Sequence, residues 1–233
     1  YLGEHFDIHT GGVDHINVHH TNEIAQSEGA TGTKWVNYWL HGEFLVMPSG
    51  RMGKSEGNMV TLSTLADEGY DPLDYRYFLL GAHYRTQLTF SWEALDAARS
   101  ARASLVDQLR ELADAAEAWS PDAPVSLGGQ ADRTRAEIDD AFDDDLNAPR
   151  ALGIVRAFLK DGSVPPEERL SVALDADGVF GLRLREAVMK REELAPELAT
   201  MIAEREKARA EKDFARADAL RDKLREAGVV VED

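Results

Sequence analysis

The strongest constraint on the fold lies between Ser91 and Trp119. Leu95, Ala98, Leu105, Leu109, Leu112 and Ala116 recur there at helical spacing, which draws one apolar stripe along a single long helix. Ser91 is placed to cap its N-terminus. A helix of this length with one apolar face needs other helices to pack against, so the middle of the chain reads as a helical bundle. Hydrophobic residues make up 43% of the 233, enough for a core of ordinary size.

Ahead of that helix the chain is different in kind. Residues 1 to 60 are rich in Gly, His and aromatics and read as α/β. "HFDIH" is expected as a short strand, "TGG" as a turn, and "HTNEIAQSEGA" as a helix ending near Gly29. "WVNYWLHGEFLV" is expected to supply a strand before the glycine-rich loop "GRMGKSEGN", residues 50 to 58. Everything after residue 60 reads as helical, beginning with two short helices around Asp71-Pro72. "SPDAPVSLGGQ", residues 120 to 130, is the clearest linker. A second helical block runs from "RAEIDDAFDDDLN" through "PRALGIVRAFLKDG", with Pro149 in the first turn of its helix. "APELATMIAEREKARAEKDFARADALRDKLREAG" gives one or two charged amphipathic helices closed by Gly228, and "VVVED" starts a strand. The divisions expected are therefore 1–60, 61–119, 131–190 and 191–233.

The formal charge of -17 disfavours generic binding to nucleic acid or to an anionic membrane. That charge is uneven, since residues 183 to 225 carry 12 Lys/Arg against 10 Asp/Glu. With no cysteine, the chain has no disulfide framework and no thiolate to serve as nucleophile or metal ligand. No apolar run approaches the ~20 residues of a membrane span, and no signal peptide is visible, which points to the cytoplasm. The chain opens on Tyr1 and enters "FDIHTGG" almost at once, so a preceding part of the parent polypeptide is expected.

Two stretches carry chemistry. His19 and Glu23 in "HHTNE" are four apart, so on a helix they project from one face, where an imidazole nitrogen and a carboxylate oxygen can share a zinc ion. A His and Glu at this spacing are more often a surface pair. His9, His15, His19 and His20, four of the seven histidines, fall within twelve residues and favour a site. In the glycine-flanked loop, backbone N–H groups beside the Lys54 ammonium can hold a polyphosphate. The loop is not a phosphate-binding P-loop, because that pattern needs a further glycine where this chain has none. Ser55 reads equally as a phosphate donor or as the N-cap of "EGNMVTL". The acidic run "EIDDAFDDDLN" reads as solvent-facing or helix-capping and lacks the loop glycine of a calcium-binding hand.

"GGVDHINVHHTNEIAQSE" followed at this distance by "RMGKSEGN" closely resembles the cysteinyl-tRNA synthetases, a family of class I aminoacyl-tRNA synthetases. "RMGKS" resembles the KMSKS loop of that class, and "HYRTQLTFSWEAL", "DDDLNAPRAL" and "KDFARADALRDKLREAGVVVED" resemble the family's helical domains and carboxyl end. The resemblance covers nearly the whole chain, in order. It implies an α/β remnant of a Rossmann-like class I catalytic domain, followed by mainly α-helical tRNA-binding domains. It implies that His19 and Glu23 are two of four ligands to one Zn2+, the other two being cysteines of an earlier segment. Lys54 would be the ATP lysine of the signature loop, with Met52 and Ser55 beside the same ATP and its Mg2+. Asp14 and His9 would face the substrate cysteine. The implied partners are ATP, cysteine and the tRNA for cysteine, acting on a monomer. Residues 61–119 would brace the acceptor stem and the later domains would meet the anticodon. The Lys/Arg-bearing helix from 205 to 225 is the candidate for phosphate contact, although alternating charges on a helix also describe a solvated face.

This sequence departs from the family pattern in places. Arg51 stands for the first lysine of the loop and Gly53 for its middle serine, and Asn17-Val18 stands where a Phe-Pro step is common. The family's His-x-Gly-His element is absent from these 233 residues. The chain alone is therefore expected to be inactive in adenylate formation. Two other readings fit parts of the pattern: a related ligase that joins cysteine to an amino sugar, and a non-catalytic helical tRNA-binding module. "KDFARADALRDKLREAG" favours the synthetase over the first.

Overall fold

The computed structural model describes residues 3–48, 50–51, 60–116, 119–120, 125–190, 196–211 and 213–226. The chain divides into two compact units, residues 1–189 and residues 190–233. Met52, Lys54 and Ser55, the closing Gly228 and the expected terminal strand "VVVED" lie outside the described residues.

Strand β1 (Phe6–Gly12) opens the first unit and pairs in parallel with β2 (Val36–Gly42), in the register His9 opposite Trp39 and Gly11 opposite His41. Parallel strands need a crossover, and helix α1 (Thr21–Thr31) supplies it. The expected turn at "TGG" is instead the end of β1. The expected helix end at Gly29 moves to Gly32, whose left-handed φ of 72° lets its N–H reach the Glu28 carbonyl at 2.8 Å.

The segment "WVNYWLHGEFLV" forms two strands rather than one. After β2 the chain leaves the first sheet, and β3 (Leu45–Met47) becomes the centre of a second. There β3 lies antiparallel to β4 (Gly50–Arg51) and parallel to β5 (Leu88–Thr89). The Glu43 N–H donates to the Tyr84 carbonyl at 2.8 Å, and Phe90 N–H donates to the Val46 carbonyl at 2.7 Å. The switch is driven by partners some forty residues away, and a strand therefore interrupts the region expected to be all helical.

Helices α2 (Leu62–Asp67) and α3 (Pro72–Leu80) flank Asp71-Pro72 as expected. Asp71 caps α3 through Leu73 N–H at 2.8 Å, and Asp74 returns the bond to Asp71 N–H at 3.1 Å. Helix α4 (Trp92–Ala115) starts at Ser91, whose hydroxyl accepts from Ala94 N–H at 3.1 Å. It ends four residues short of Trp119. Every member of its predicted stripe is buried, Leu95 and Leu109 completely. Helices α5 (Gly129–Asp143), α6 (Ala148–Phe158), α7 (Pro166–Phe180) and α8 (Leu184–Met189) share one core with it, with α7 and α8 packing on α4, and α5 and α6 packing on α7. Helix α5 begins inside the expected linker, whose last two residues are helical.

The α5–α6 corner is built from two successive left-handed residues, Asp145 and Leu146, both with φ of 57°. Asp145 accepts from the Tyr84 hydroxyl at 2.6 Å and from Arg85 Nη2 at 3.1 Å. The Arg85 guanidinium first, and the Tyr84 hydroxyl second, hold the Asp145 pKa down to about 2. A carboxyl depressed below its unfolded value contributes stability above that value, near ~4, and loses it as pH falls towards 2. The original chain and its Asp145→Asn variant are accordingly expected to melt at different temperatures at pH 6 and to converge by pH 2. A difference that persists unchanged to pH 2 would show that the Asp145 charge is not its source.

The second unit consists of α9 (Pro196–Ala210) and α10 (Phe214–Glu226), packed on one another with Ala208, Ala217, Leu220 and Leu224 buried. Asp213 begins α10 by accepting from Arg216 N–H at 3.2 Å. No helix among the described residues is long and apolar enough to cross a membrane.

Candidate metal centre

The centre forms where β1 runs out into α1. Two tight turns join them, a 3-10 turn at Val13–His15 and a π turn at Ile16–His20. The Thr21 hydroxyl donates to the Ile16 carbonyl at 2.7 Å and ties the wide turn to the start of the helix. The extra residue of a π turn rotates the side chains that follow it. His20 is thereby turned inward, leaving its side chain 4% exposed, while His19 stays 60% exposed.

The sequence permits this only because β1 ends in glycine. A Cβ on Gly11 would stand 2.5 Å from His20 Cε1 and 2.7 Å from His15 Nδ1. A Cβ on Gly12 would stand 2.5 Å from Asp14 Oδ1. Gly11 is thus a clearance for two imidazoles and Gly12 for the Asp14 carboxylate, and the pair does not reverse the chain.

Glu23, one turn into α1, meets three imidazoles. Its Oε2 lies 3.1 Å from His9 Nε2 and 3.9 Å from His20 Nε2, and its Oε1 lies 3.6 Å from His19 Nε2. His9, His20 and Glu23 offer ligand atoms within 4.8 Å of one another. Aromatic rings enclose the buried side. The His9 ring stands 5.1 Å from Trp35 and 4.9 Å from Trp39, and the His20 ring 4.8 Å from Trp39. His20 Nδ1 and His41 Nε2 are 2.9 Å apart, one donating to the other. Burial, followed by the His9 and His41 imidazoles, lowers the His20 pKa below its ordinary value, with Glu23 pulling the other way.

The donor set suits zinc. Two ligand atoms of a tetrahedral zinc stand roughly 3.3 Å apart when the bonds are ~2.0–2.1 Å. The 3.6 Å from His19 to Oε1 is near that spacing. A neutral imidazole presents the lone pair that ligation needs, and an N–H on His20 Nδ1 can donate a hydrogen bond to His41 Nε2.

Of the residues singled out in the sequence, His9, His19 and Glu23 come together. Asp14 does not join them: it is exposed and lies over Gly12. The sequence reading counted His20 among the clustered histidines without giving it a role, and it missed His41 and Trp39. The His20–Glu23 spacing of three residues is visible in the chain, but the π turn that sends His20 inward is not. His41 comes from the far strand and has no local signal.

Residues 1–100 match the model for the class I (C) tRNA synthetase catalytic domain, and residues 191–233 match the cysteinyl-tRNA ligase anticodon binding domain. All of the chain aligns with a cysteine–tRNA ligase of Treponema denticola at 41% identity, covering 52% of that protein. It aligns equally fully with cysteine–tRNA ligase 1 of Burkholderia lata at 44% identity, covering 47%. The chain thus spans about half the length of the curated relatives it matches. Among solved structures, the LeuRS of Agrobacterium radiobacter K84, in its complex with tRNA and LeuAMS, resembles 78% of this chain and 26% of its own, with a TM-score of 0.53 at 15% identity. That likeness concerns the fold alone.

Proposed function

Because this chain belongs to the cysteinyl-tRNA synthetase family, we propose that it serves the ATP-dependent joining of cysteine to its tRNA, as the part of the ligase that holds half of a metal centre. The observation that carries this reading is the meeting of Glu23 with three imidazoles at the glycine end of a parallel strand. In open α/β sheets ligands bind beyond the carboxyl ends of the strands, and the cluster lies at that end of β1. The β1–α1–β2 unit is read as the remnant of the Rossmann-like domain.

The two oxygens of Glu23 divide the labour. Oε1 faces His19, and this pair is the proposed contribution to the metal. Oε2 faces His9 and the buried His20, which fix the carboxylate's orientation. A zinc ion bound there supplies a soft acceptor for the sulfur of cysteine that the hydroxyl of serine does not match. His9 and Asp14 are proposed to face the amino acid. The Trp35 and Trp39 rings keep water from the inner side of the cluster.

Lys54, with Met52 and Ser55, is proposed to follow the phosphates of ATP and its Mg2+ electrostatically. Residues 61–119 are proposed to brace the acceptor stem, and 131–190 with 191–233 to meet the anticodon side of the tRNA. In the complete enzyme Lys54→Ala is expected to slow adenylate formation ~10²–10³-fold with little change in cysteine affinity, as for loss of one preorganised charge-stabilising donor. Single-turnover kinetics with a cysteine titration checks it, and an unchanged rate removes Lys54 from the mechanism. The 233-residue chain by itself is expected to give no ATP–pyrophosphate exchange, because it has no cysteine and no His-x-Gly-His element. Exchange above background would overturn that assignment of roles.

A further inference from the structure

The chain crosses from the first sheet to the second within a few residues of the metal centre. His41, near the end of β2, has its Nε2 2.9 Å from His20 Nδ1, and Gly42 is the last residue of the strand. Glu43 follows, and β3 begins at Leu45 as the centre of the other sheet. The crossing is fixed by the Glu43 N–H, which donates to the Tyr84 carbonyl at 2.8 Å. Two further bonds run on from it into the β3–β5 pair: Leu88 N–H to the Phe44 carbonyl at 3.1 Å, and Phe90 N–H to the Val46 carbonyl at 2.7 Å. Tyr84 therefore stands at the end of that ladder adjoining β2.

Tyr84 is held from the side of the helices. Its half-buried ring stacks on His83 with centroids 5.0 Å apart and lies under the Arg85 guanidinium at 5.1 Å. Its hydroxyl donates to Asp145 Oδ1 at 2.6 Å. Burial first, and the bond to Asp145 second, raise the Tyr84 pKa, so the hydroxyl stays protonated and remains a donor. Asp145 is itself fixed. Leu146 N–H donates to the Phe142 carbonyl at 2.9 Å and Asn147 N–H to the Ala141 carbonyl at 3.0 Å, which closes the corner on α5. Ile138 and Ala141 of that helix are buried in the core. A helix corner seated in the core thus grips, by one hydroxyl, the residue on whose carbonyl the exit of β2 rests.

We infer that Tyr84 is a positioning residue for the cysteine site: its hydroxyl, anchored on Asp145, registers the exit of β2, and with it His41, against the helical core. That role presupposes that the cluster around Glu23 is the cysteine site. Glu43 is two residues beyond His41, and His41 meets the buried ring whose Nε2 faces Glu23 Oε2. Groups that orient a metal site from outside its ligands change its affinity when removed. The competing account is an exposed ion pair of little consequence, since the Arg85 side chain is 59% exposed. The hydroxyl decides between the two, because Tyr84→Phe removes it and leaves the ring, the backbone and the ion pair in place.

Two readouts test the role. In the metal-free 233-residue chain, Tyr84→Phe and Asp145→Ala are each expected to speed amide exchange at 40–43 roughly three- to tenfold, the share of one hydrogen bond. The double variant should exchange no faster than either single, and Asp145→Asn, whose amide oxygen can still accept, should recover most of the protection. In the complete ligase, Tyr84→Phe and Asp145→Ala should raise KM for cysteine roughly three- to tenfold in ATP–pyrophosphate exchange, with kcat kept within about twofold. Asp161→Ala controls for general loss of stability. Its carboxylate accepts from Ser163 N–H at 3.0 Å between α6 and α7, so the change should lower the melting temperature and leave both readouts where they were. Unchanged exchange at Glu43 in Tyr84→Phe, or single effects that add in the double variant, overturns the tie. Faster exchange with an unmoved KM for cysteine overturns the positioning role. A complete ligase of original sequence that activates no cysteine refutes the aminoacylation reading instead, and exchange at Glu43 still decides the tie.

Discussion

Glu23→Ala in the complete ligase is expected to lower zinc retention by more than about 100-fold and to carry most of the preference for cysteine over serine with it. The groups around a metal ligand each cost ~10–100-fold in affinity when removed, and a ligand itself costs more. Glu23 is the point at which the cluster converges, with His9 at 3.1 Å on one oxygen and His19 at 3.6 Å on the other. Its loss removes one donor and leaves the imidazoles without the group that spaces them. A site built around one specific polar contact can reject an analogue by ~10⁴–10⁵. Without that contact, shape alone has to separate sulfur from oxygen. Elemental analysis after dialysis against a chelator, with kcat/KM for both amino acids, checks the expectation. A full equivalent of zinc with an unchanged cysteine-to-serine ratio would remove Glu23 from the centre. The companion pair His19→Ala and His20→Ala separates the two imidazoles: the first is expected to empty the site and the second to weaken it. The reverse order would assign ligation to the buried ring.

The largest expected effect on stability is at Asp74. This carboxylate is 2% exposed and accepts from Arg102 Nε at 2.7 Å, while its other oxygen accepts from Asp71 N–H at 3.1 Å. Arg102 lies on α4 between Ala98 and Leu105, where its head reaches across to the first turn of α3 rather than out to water. Breaking a buried pair from one side costs about 3–5 kcal/mol, because the remaining charge is left uncompensated. Asp71 stands 3.4 Å from Arg102 Nη2 and takes up part of the load. Asp74→Ala is therefore placed near the lower end, at about 3 kcal/mol by urea denaturation. Asp74→Leu combined with Arg102→Leu should cost less than the single change, since both charges go together. A single variant destabilised by less than about 1 kcal/mol would show that water already serves the guanidinium.

What the sequence could and could not foretell follows from the range of the forces involved. The stripe of α4, its Ser91 cap and the Asp71-Pro72 helix start were legible because the determinants lie within a few residues of each other. The end of β1 was not, since glycine there answers to the approach of His20, and the same two letters otherwise spell a turn. Strand β5 is two residues long and exists only through its pairing with β3. The closeness of His19 and Glu23 could be read from spacing, whereas the inward turn of His20 and its contact with His41 depend on a π turn and a neighbouring strand. Lys54 was singled out by its motif and its likeness to a known loop, and it lies outside the described residues.

One corner of the fold has a wider bearing. Asp145 and Leu146 hold an energetically unfavourable backbone shape for residues with side chains, and the clasp that retains it is a surface carboxylate gripping Tyr84 and Arg85. Interior packing of Ile138, Ala141, Leu152 and Phe158 seats the α5–α6 pair, and this exposed clasp adds a separate tie from their corner to the Tyr84–Arg85 segment. Exchange of Asp145 would release the corner from Tyr84 and Arg85 while leaving both helices seated in their core.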